Sequence, residues 1–151
     1  MNTLIDLLQE FPSRGSATAL VYRTGVRRFT CDYRTLHDRV LRTASLLQRM
    51  GLRPGDRVLL WGPNSPAWVA AFFGTMAAGG VAVPVDFMSA RDRAQGIAAA
   101  SRCSVLFQSR FKADRIEDGP RTLFLEELEG MLPGLPPAEP VHPAPDDPAE
   151  L

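Results

Sequence analysis

Few residues in this chain have types that carry chemistry, and their spacing decides what each can do. His37 and His142 are the only histidines and stand 105 residues apart. Neither has a second His or Cys at metal-ligand spacing, so no metal site is expected. His37 adjoins Asp38 on an amphipathic stretch and reads as a half-exposed structural histidine; no Gly-x-Ser-x-Gly turn offers it a nucleophile. Cys103 directly precedes an apolar run and reads as a small buried hydrophobe. With Cys31 it makes two cysteines, too few for a disulfide scaffold or a thiolate cluster. The acid pair Glu126-Glu127 is expected beside an acidic tail, not in a cleft-forming loop. Trp61 and Trp68 read as core or interface residues rather than stacking platforms.

A phosphate loop fails as well. Gly74-Thr75-Met76-Ala77-Ala78-Gly79-Gly80-Val81 has the glycine spacing of a Walker A loop but lacks its Lys and its Ser or Thr. It also runs from helix to strand, whereas a phosphate loop runs from strand to helix. The glycines therefore read as a helix C-cap and tight turn. No Gly-x-Gly-x-x-Gly follows a strand, which counts against a dinucleotide-binding domain. No catalytic, cofactor-binding or metal-binding residue is expected in the chain.

The elements that would position any site alternate along the sequence. Thr3 opens a short helix with Leu4, Leu7 and Leu8 on one face, ending near Pro12. Ala17–Tyr22 and Arg27–Cys31 flank Arg23-Thr24-Gly25-Val26 and read as a β-hairpin. Asp32 is the N-cap of a helix whose face is Tyr33, Leu36, Val40, Ala44, Leu47 and Met50, closed by Gly51 and Pro54. Val58–Trp61 is a buried strand. Ser65 or Asn64 caps an all-round apolar helix over Trp68–Ala78, with Pro66 in its first turn. Val81–Val83 is a second strand. Ser89 is expected to cap a helix reaching Arg102, with Ala94, Ile97, Ala98 and Ser101 inward. Ser104–Phe107 is a third strand, Arg110–Arg115 a short helical turn, Arg121–Leu125 a fourth strand and Glu126–Met131 a short acidic helix.

The 28 residues from Val58 to Val85 carry no charge. Pro63, Pro66, Gly79-Gly80 and Pro84 cut that run into pieces too short to cross a bilayer. No transmembrane segment is expected. Strand and helix pieces that are apolar on two faces point to a parallel sheet between helices. The fold expected is α/β: a three-layer, Rossmann-like, mostly parallel sheet flanked by helices, with an N-terminal β-hairpin. Ligands of such sheets bind outside the carboxyl ends of the strands, here near Trp61–Asn64, Pro84–Met88 and Gln108–Phe111.

The chain has 151 residues with 17 basic and 17 acidic side chains. That length fits one folding unit, and the balanced charge disfavours a nucleic-acid partner. The zero is a sum of unlike parts, +5 over residues 1–60, +3 over 61–112 and −8 over 113–151. Sixteen of the basic residues are Arg, and Lys112 is the only Lys. Seven of the 13 prolines lie between Pro133 and Pro148. The expected organisation is therefore a folded unit over 1–131 and a Pro-rich acidic linker or tail over 132–151, extended where ordered. No signal peptide is read, because Asp6 and Glu10 interrupt the first apolar stretch, so a cytoplasmic location is expected.

One order of features is specific. Asp32-Tyr33-Arg34-Thr35-Leu36 opens the helix that ends in Gly51-Leu52-Arg53-Pro54-Gly55-Asp56-Arg57-Val58. Asn64-Ser65-Pro66-Ala67-Trp68 and Phe72-Phe73-Gly74 follow, then Ala77-Ala78-Gly79-Gly80-Val81-Ala82-Val83-Pro84-Val85-Asp86. Over about residues 20–108 this resembles the N-terminal region of the AMP-forming adenylating enzymes: acyl-CoA synthetases, luciferase-like enzymes and peptide-synthetase adenylation domains. The first block looks like that family's Thr-Tyr-x-Glu-Leu motif, with Asp32 an equally good N-cap and Thr35 lacking the reciprocal half of a capping box. The last looks like its Leu-x-Ala-Gly-x-x-x-x-Pro-Leu-Asp motif.

The resemblance implies an N-terminal subdomain that stops before the family's phosphate-binding loop, with Asp146–Leu151 matching the stretch that leads into that loop. It implies an intact enzyme that uses ATP and Mg to activate a carboxylic or fatty acid as acyl-AMP. The acyl group then passes to CoA or to a carrier protein's phosphopantetheine. This segment alone would be inactive, would have the remainder of its own polypeptide as partner, and would self-associate through apolar surface that the remainder covers. The alternatives are a peptide-synthetase adenylation domain and a stand-alone, non-catalytic interaction module, the latter served by the acidic tail and an exposed sheet edge.

Overall fold

The computed structural model describes residues 3–116 and 119–151. Thr3 caps α1 (Leu4–Gln9) through a full capping box with Asp6, and a four-residue turn of helix, α2 (Phe11–Arg14), follows. β1 (Thr18–Thr24) and β2 (Arg27–Asp32) form an antiparallel hairpin across Gly25-Val26, with Gly25 at positive φ. The Asp32 carboxylate accepts the Thr35 N–H at 2.7 Å and starts α3 (Tyr33–Arg49). Gly51, at φ 93°, ends it.

The rest is strand–helix alternation. β3 (Arg57–Trp61), α4 (Pro66–Ala77), β4 (Val81–Val85), α5 (Arg91–Ala100), β5 (Cys103–Gln108), β6 (Arg121–Phe124) and α6 (Leu125–Met131) follow in order. The four later strands form one parallel sheet in the order β4-β3-β5-β6. Period-two alternation splits their side chains between two cores. Val58, Leu60, Ala82, Val105 and Phe107 face α3, α4, α1 and α6. Leu59, Trp61, Val83, Val85 and Leu106 face α5 through Ala94 and Ala98. This is the expected layered α/β sheet with its hairpin.

α3 and α4 pack most closely at Gly74, where a Cβ would lie 2.7 Å from Thr43 Cβ. No helix among the described residues is long and apolar enough to cross a membrane.

Two local expectations are corrected. Ser89 does not cap α5; Ala90 holds that position without a side-chain bond. The Asp86 carboxylate instead takes the Met88 N–H at 2.8 Å and closes the loop early, with Ser89 N–H on Asp86 C=O. Residues 110–115 form no helix, only one turn in which Lys112 N–H bonds Ser109 C=O at 3.2 Å. Side chains take over backbone partners there: Ser109 Oγ accepts the Phe111 N–H, and Gln108 Nε2 donates to Asp114 C=O.

Residues 132–151 run extended as a strap across the body. Ala138 N–H bonds Leu41 C=O, Val141 N–H bonds Ala77 C=O at 2.8 Å, and Val141 sits against Gly79. At the outer edge of β4, Ala82 N–H reaches Ala149 C=O and Leu151 N–H reaches Ala82 C=O, a single parallel bridge. The outer edge of β4 thus carries the strap at this one bridge, and β6 forms the other edge of the sheet.

Candidate functional site

The connections after β3, β4 and β5 leave the carboxyl edge of the sheet, and one side chain ties them together. Lys112 Nζ donates to Ser89 C=O at 3.1 Å and lies 4.9 Å from the Trp61 ring centroid and 5.1 Å from that of Phe87. The ends of β3 and β4 and the loop after β5 are pinned by this one ammonium, through cation–π and hydrogen-bond contacts. Composition singles out Lys112 only as the sole lysine; its contacts come from elements far apart in sequence.

Beneath it, Trp61 and Gln108 are register partners on β3 and β5 and are fully buried. Trp61 Nε1 and Gln108 Oε1 have no partner among the described residues. Trp68 is the other expected core or interface tryptophan; it stacks on Phe72 at 5.3 Å and helps line a cavity of about 360 Å³ between Pro63, Asp86 and Phe87.

The acid pair does not stand beside a free tail. The Glu126 carboxylate accepts from Ser109 Oγ at 2.5 Å and from the Arg110 N–H at 2.8 Å, and Glu127 pairs with Arg110. Both acids stand at the carboxyl end of β5, because parallel β6 delivers the start of α6 to that same edge. Glu126 also lines a groove of about 620 Å³ that runs between the hairpin, the N-terminus of α4 and α6.

The remaining candidates lie apart. His37 is half-buried on α3, and burial pushes its pKa down against the pull of Asp38. His142 belongs to the strap and lies 3.5 Å from Gln9 Nε2. Burial pushes the Cys103 thiol up to about 11, with Arg57 opposing, and raises Cys31 as well. No group of three or more His, Cys, Asp or Glu among the described residues could hold a metal ion.

Several polar groups in the connections after β3 and β4 are already engaged within the chain. After β3, Pro66 brings no N–H to the start of α4, Trp68 N–H is taken by Ser65 Oγ, and Val69 N–H by Ser65 C=O. After β4, the Asp86 carboxylate stands at the loop's opening, and Lys112 is already engaged with Ser89 and two rings. A phosphate cradle needs several converging amides and a free cation.

This geometry, a parallel sheet whose carboxyl edge is closed by short loops, can be set beside known proteins. The family described as AMP-binding enzyme matches residues 9–150. The chain belongs to that family. Among AMP-binding relatives, feruloyl-CoA synthase of Amycolatopsis sp is 36% identical over 104 residues, 69% of this chain and 21% of its own length. Phenyloxazoline synthase MbtB of Mycobacterium tuberculosis is 43% identical over 68 residues, 45% of this chain and 5% of its own. The Klebsiella oxytoca NpsA N-terminal subdomain, solved with 3-hydroxybenzoyl-AMSN, superposes with a TM-score of 0.80 at 22% identity, covering 99% of this chain and 37% of that one. The chain therefore spans about a fifth of the length of the synthase it matches over most of its own.

Proposed function

We propose that this chain is the N-terminal part of an ATP-dependent acid–thiol ligase. In the whole enzyme a carboxylic or fatty acid would become acyl-AMP with release of pyrophosphate, and the acyl group would move to CoA or to a phosphopantetheine thiol with release of AMP. ATP, held with Mg by parts outside these residues, supplies the activated phosphorus that the carboxylate attacks. The observation that carries the reading is the family match across residues 9–150 together with coverage of only 21% of feruloyl-CoA synthase.

Within that enzyme, these residues form one wall. Lys112 ties the carboxyl-edge loops of the sheet together over the Trp61 and Phe87 rings. We place the protein in the cytoplasm, where ATP and CoA are available. On this reading the 151 residues alone do not adenylate, because their strand-to-helix loops give a triphosphate no cradle. The test is ATP–pyrophosphate exchange driven by a panel of carboxylic acids, aromatic and aliphatic. No exchange above blank is expected from this chain; acid-dependent exchange overturns its inactivity.

A second reading is an adenylation domain of a peptide synthetase, favoured by the 43% identity to phenyloxazoline synthase MbtB over 68 residues. Acyl transfer to free CoA or only to a carrier-bound thiol by the complete protein separates the two.

A further inference from the structure

Two polar atoms inside the sheet have hydrogen-bonding capacity that the fold does not use. Trp61 on β3 and Gln108 on β5 are direct register partners, 0% and 1% exposed. Among the described residues the Trp61 Nε1–H has no acceptor and Gln108 Oε1 has no donor. Both side chains lie on the face turned toward α5. Trp61 packs there with Leu59 and Leu106, and Gln108 follows Leu106 by two residues on the same strand. A buried donor or acceptor left unpaired is costly, and native proteins satisfy nearly all such groups with protein or with ordered water.

The pair does not satisfy itself by a turn of the amide. Gln108 Nε2 donates to Asp114 C=O at 2.8 Å, which fixes the two ends of that amide. Exchanging them would set an NH2 group toward the indole N–H and Oε1 toward the Asp114 carbonyl, donor on donor and acceptor on acceptor. The backbone is committed as well, since Ser109 N–H donates to Trp61 C=O at 3.1 Å and holds the strands in place at this last rung. Neighbouring strands stand about 4.8 Å apart. One hydrogen bond of about 2.9 Å falls short of that spacing, and two in series span it.

We infer that one internal water molecule bridges Trp61 and Gln108, accepting from Nε1–H and donating to Oε1. The chemistry of the two atoms selects this occupant. A metal ion gains nothing from an N–H donor, and the Lys112 ammonium, 4.9 Å from the Trp61 ring centroid, repels it. An anion would face Oε1, a second acceptor. A group that only donates or only accepts leaves one of the two atoms unpaired. The site needs a small molecule that does both, and a buried water makes two to four such bonds. The water joins β3 to β5 through side chains beside the Lys112 clasp, whose ammonium is tethered to Ser89 C=O. The inference needs no nucleotide and no acid substrate, so it stands independently of the ligase reading.

The test is a water-selective nuclear Overhauser measurement on the 15N-labelled 151-residue chain, whose two tryptophans give two indole N–H signals. The Trp61 signal is the one that survives in Trp68→Phe. It should show a cross-peak to water with the sign of a long-lived contact. Lys112→Met removes the nearby ammonium, whose protons exchange with solvent and would relay a false peak; the cross-peak should persist in that variant. Gln108→Leu removes the acceptor and should abolish it. Three results overturn the inference: no water cross-peak at Trp61 in the native chain, its disappearance in Lys112→Met, or its survival undiminished in Gln108→Leu. The first two are read on chains that keep both Trp61 and Gln108, so they decide the matter even where Gln108→Leu does not fold.

Discussion

Burial sets the chemistry of single side chains here more than charge does. The Cys103 thiol is raised from 9.0 to about 11 by desolvation, against a smaller opposite pull from Arg57. At pH 8 its thiolate is then about a hundredfold scarcer than at the unshifted value. Native Cys103 should accordingly alkylate with iodoacetamide far more slowly than the same residue in urea, and mass spectrometry of timed quenches reads this directly. Because the folded value is the higher one, the stabilisation linked to this thiol is complete below about pH 9 and is lost as pH climbs toward 11.

Asp32 is the opposite case. Backbone and side-chain bonds from Thr35 lower its carboxyl below 3.8, so its contribution is present above that pH and fades as pH falls. Asp32→Ala should lower the Tm by a few degrees, with Asp32→Asn retaining most of the cap. Gly74→Ala removes a flexible residue from α4 but drives a Cβ to 2.7 Å from Thr43. Overpacking wins, and a loss of about 1–3 kcal/mol in urea denaturation is expected. The half-buried placement of His37 on α3 is legible in the sequence because it depends on local periodicity. The Lys112 clasp and the Glu126 contacts are not, because β6 brings them together only after the sheet has formed.

Among the elements, those with a clear period or a clear punctuation are readable from the residues alone. Asp32, Gly51 and Pro54 bracket α3, and the uncharged run from Val58 divides into β3, α4 and β4 at its prolines and glycines. The start of α5 is not, because Asp86 closes the preceding loop on the Met88 and Ser89 N–H groups and Ala90 takes the N-cap position, an outcome that composition does not reveal. The strap is the least legible, since proline-rich acidic sequence looks the same free or docked. Its docking rests on backbone bonds to α3, α4 and β4, with few large side chains. Pro84 also limits it. Ala82 directs both its N–H and its C=O to the strap, so Pro84, two residues on, faces the same way with no N–H to give. Hydrogen exchange should therefore show the Ala82 amide protected in the full chain. Deleting residues 133–151 should release Ala82 by at least about tenfold while amides of the central strand β3 stay slow. Equal protection with and without the strap would mean that these bonds do not persist in solution.

The whole chain sums a basic body to an acidic end, +8 over residues 1–112 and −8 over 113–151, which invites the idea that attraction between the two holds the molecule together. The contacts argue otherwise. Among the described residues the long-range ion pairs between the halves are Arg39–Glu129 and Arg110–Glu127, and each has at least one partner well exposed to water. Exposed pairs are worth about 0–1 kcal/mol and are screened by salt. The strap is held mainly by neutral backbone bonds, beside one from the Arg42 guanidinium to Leu135 C=O, and the two cores of the sheet are sealed by residues such as Leu60, Phe107, Leu59 and Leu106 at no exposure. Opposing any salt-sensitive gain is the repulsion of Arg23 against Arg28, which added salt relieves. The stability of the chain should thus change by less than about 1 kcal/mol between roughly 0.05 and 0.5 M NaCl, as measured by urea denaturation at each salt. A loss of several kcal/mol on adding salt would put the charge separation, rather than the buried sheet, at the centre of what keeps this molecule folded.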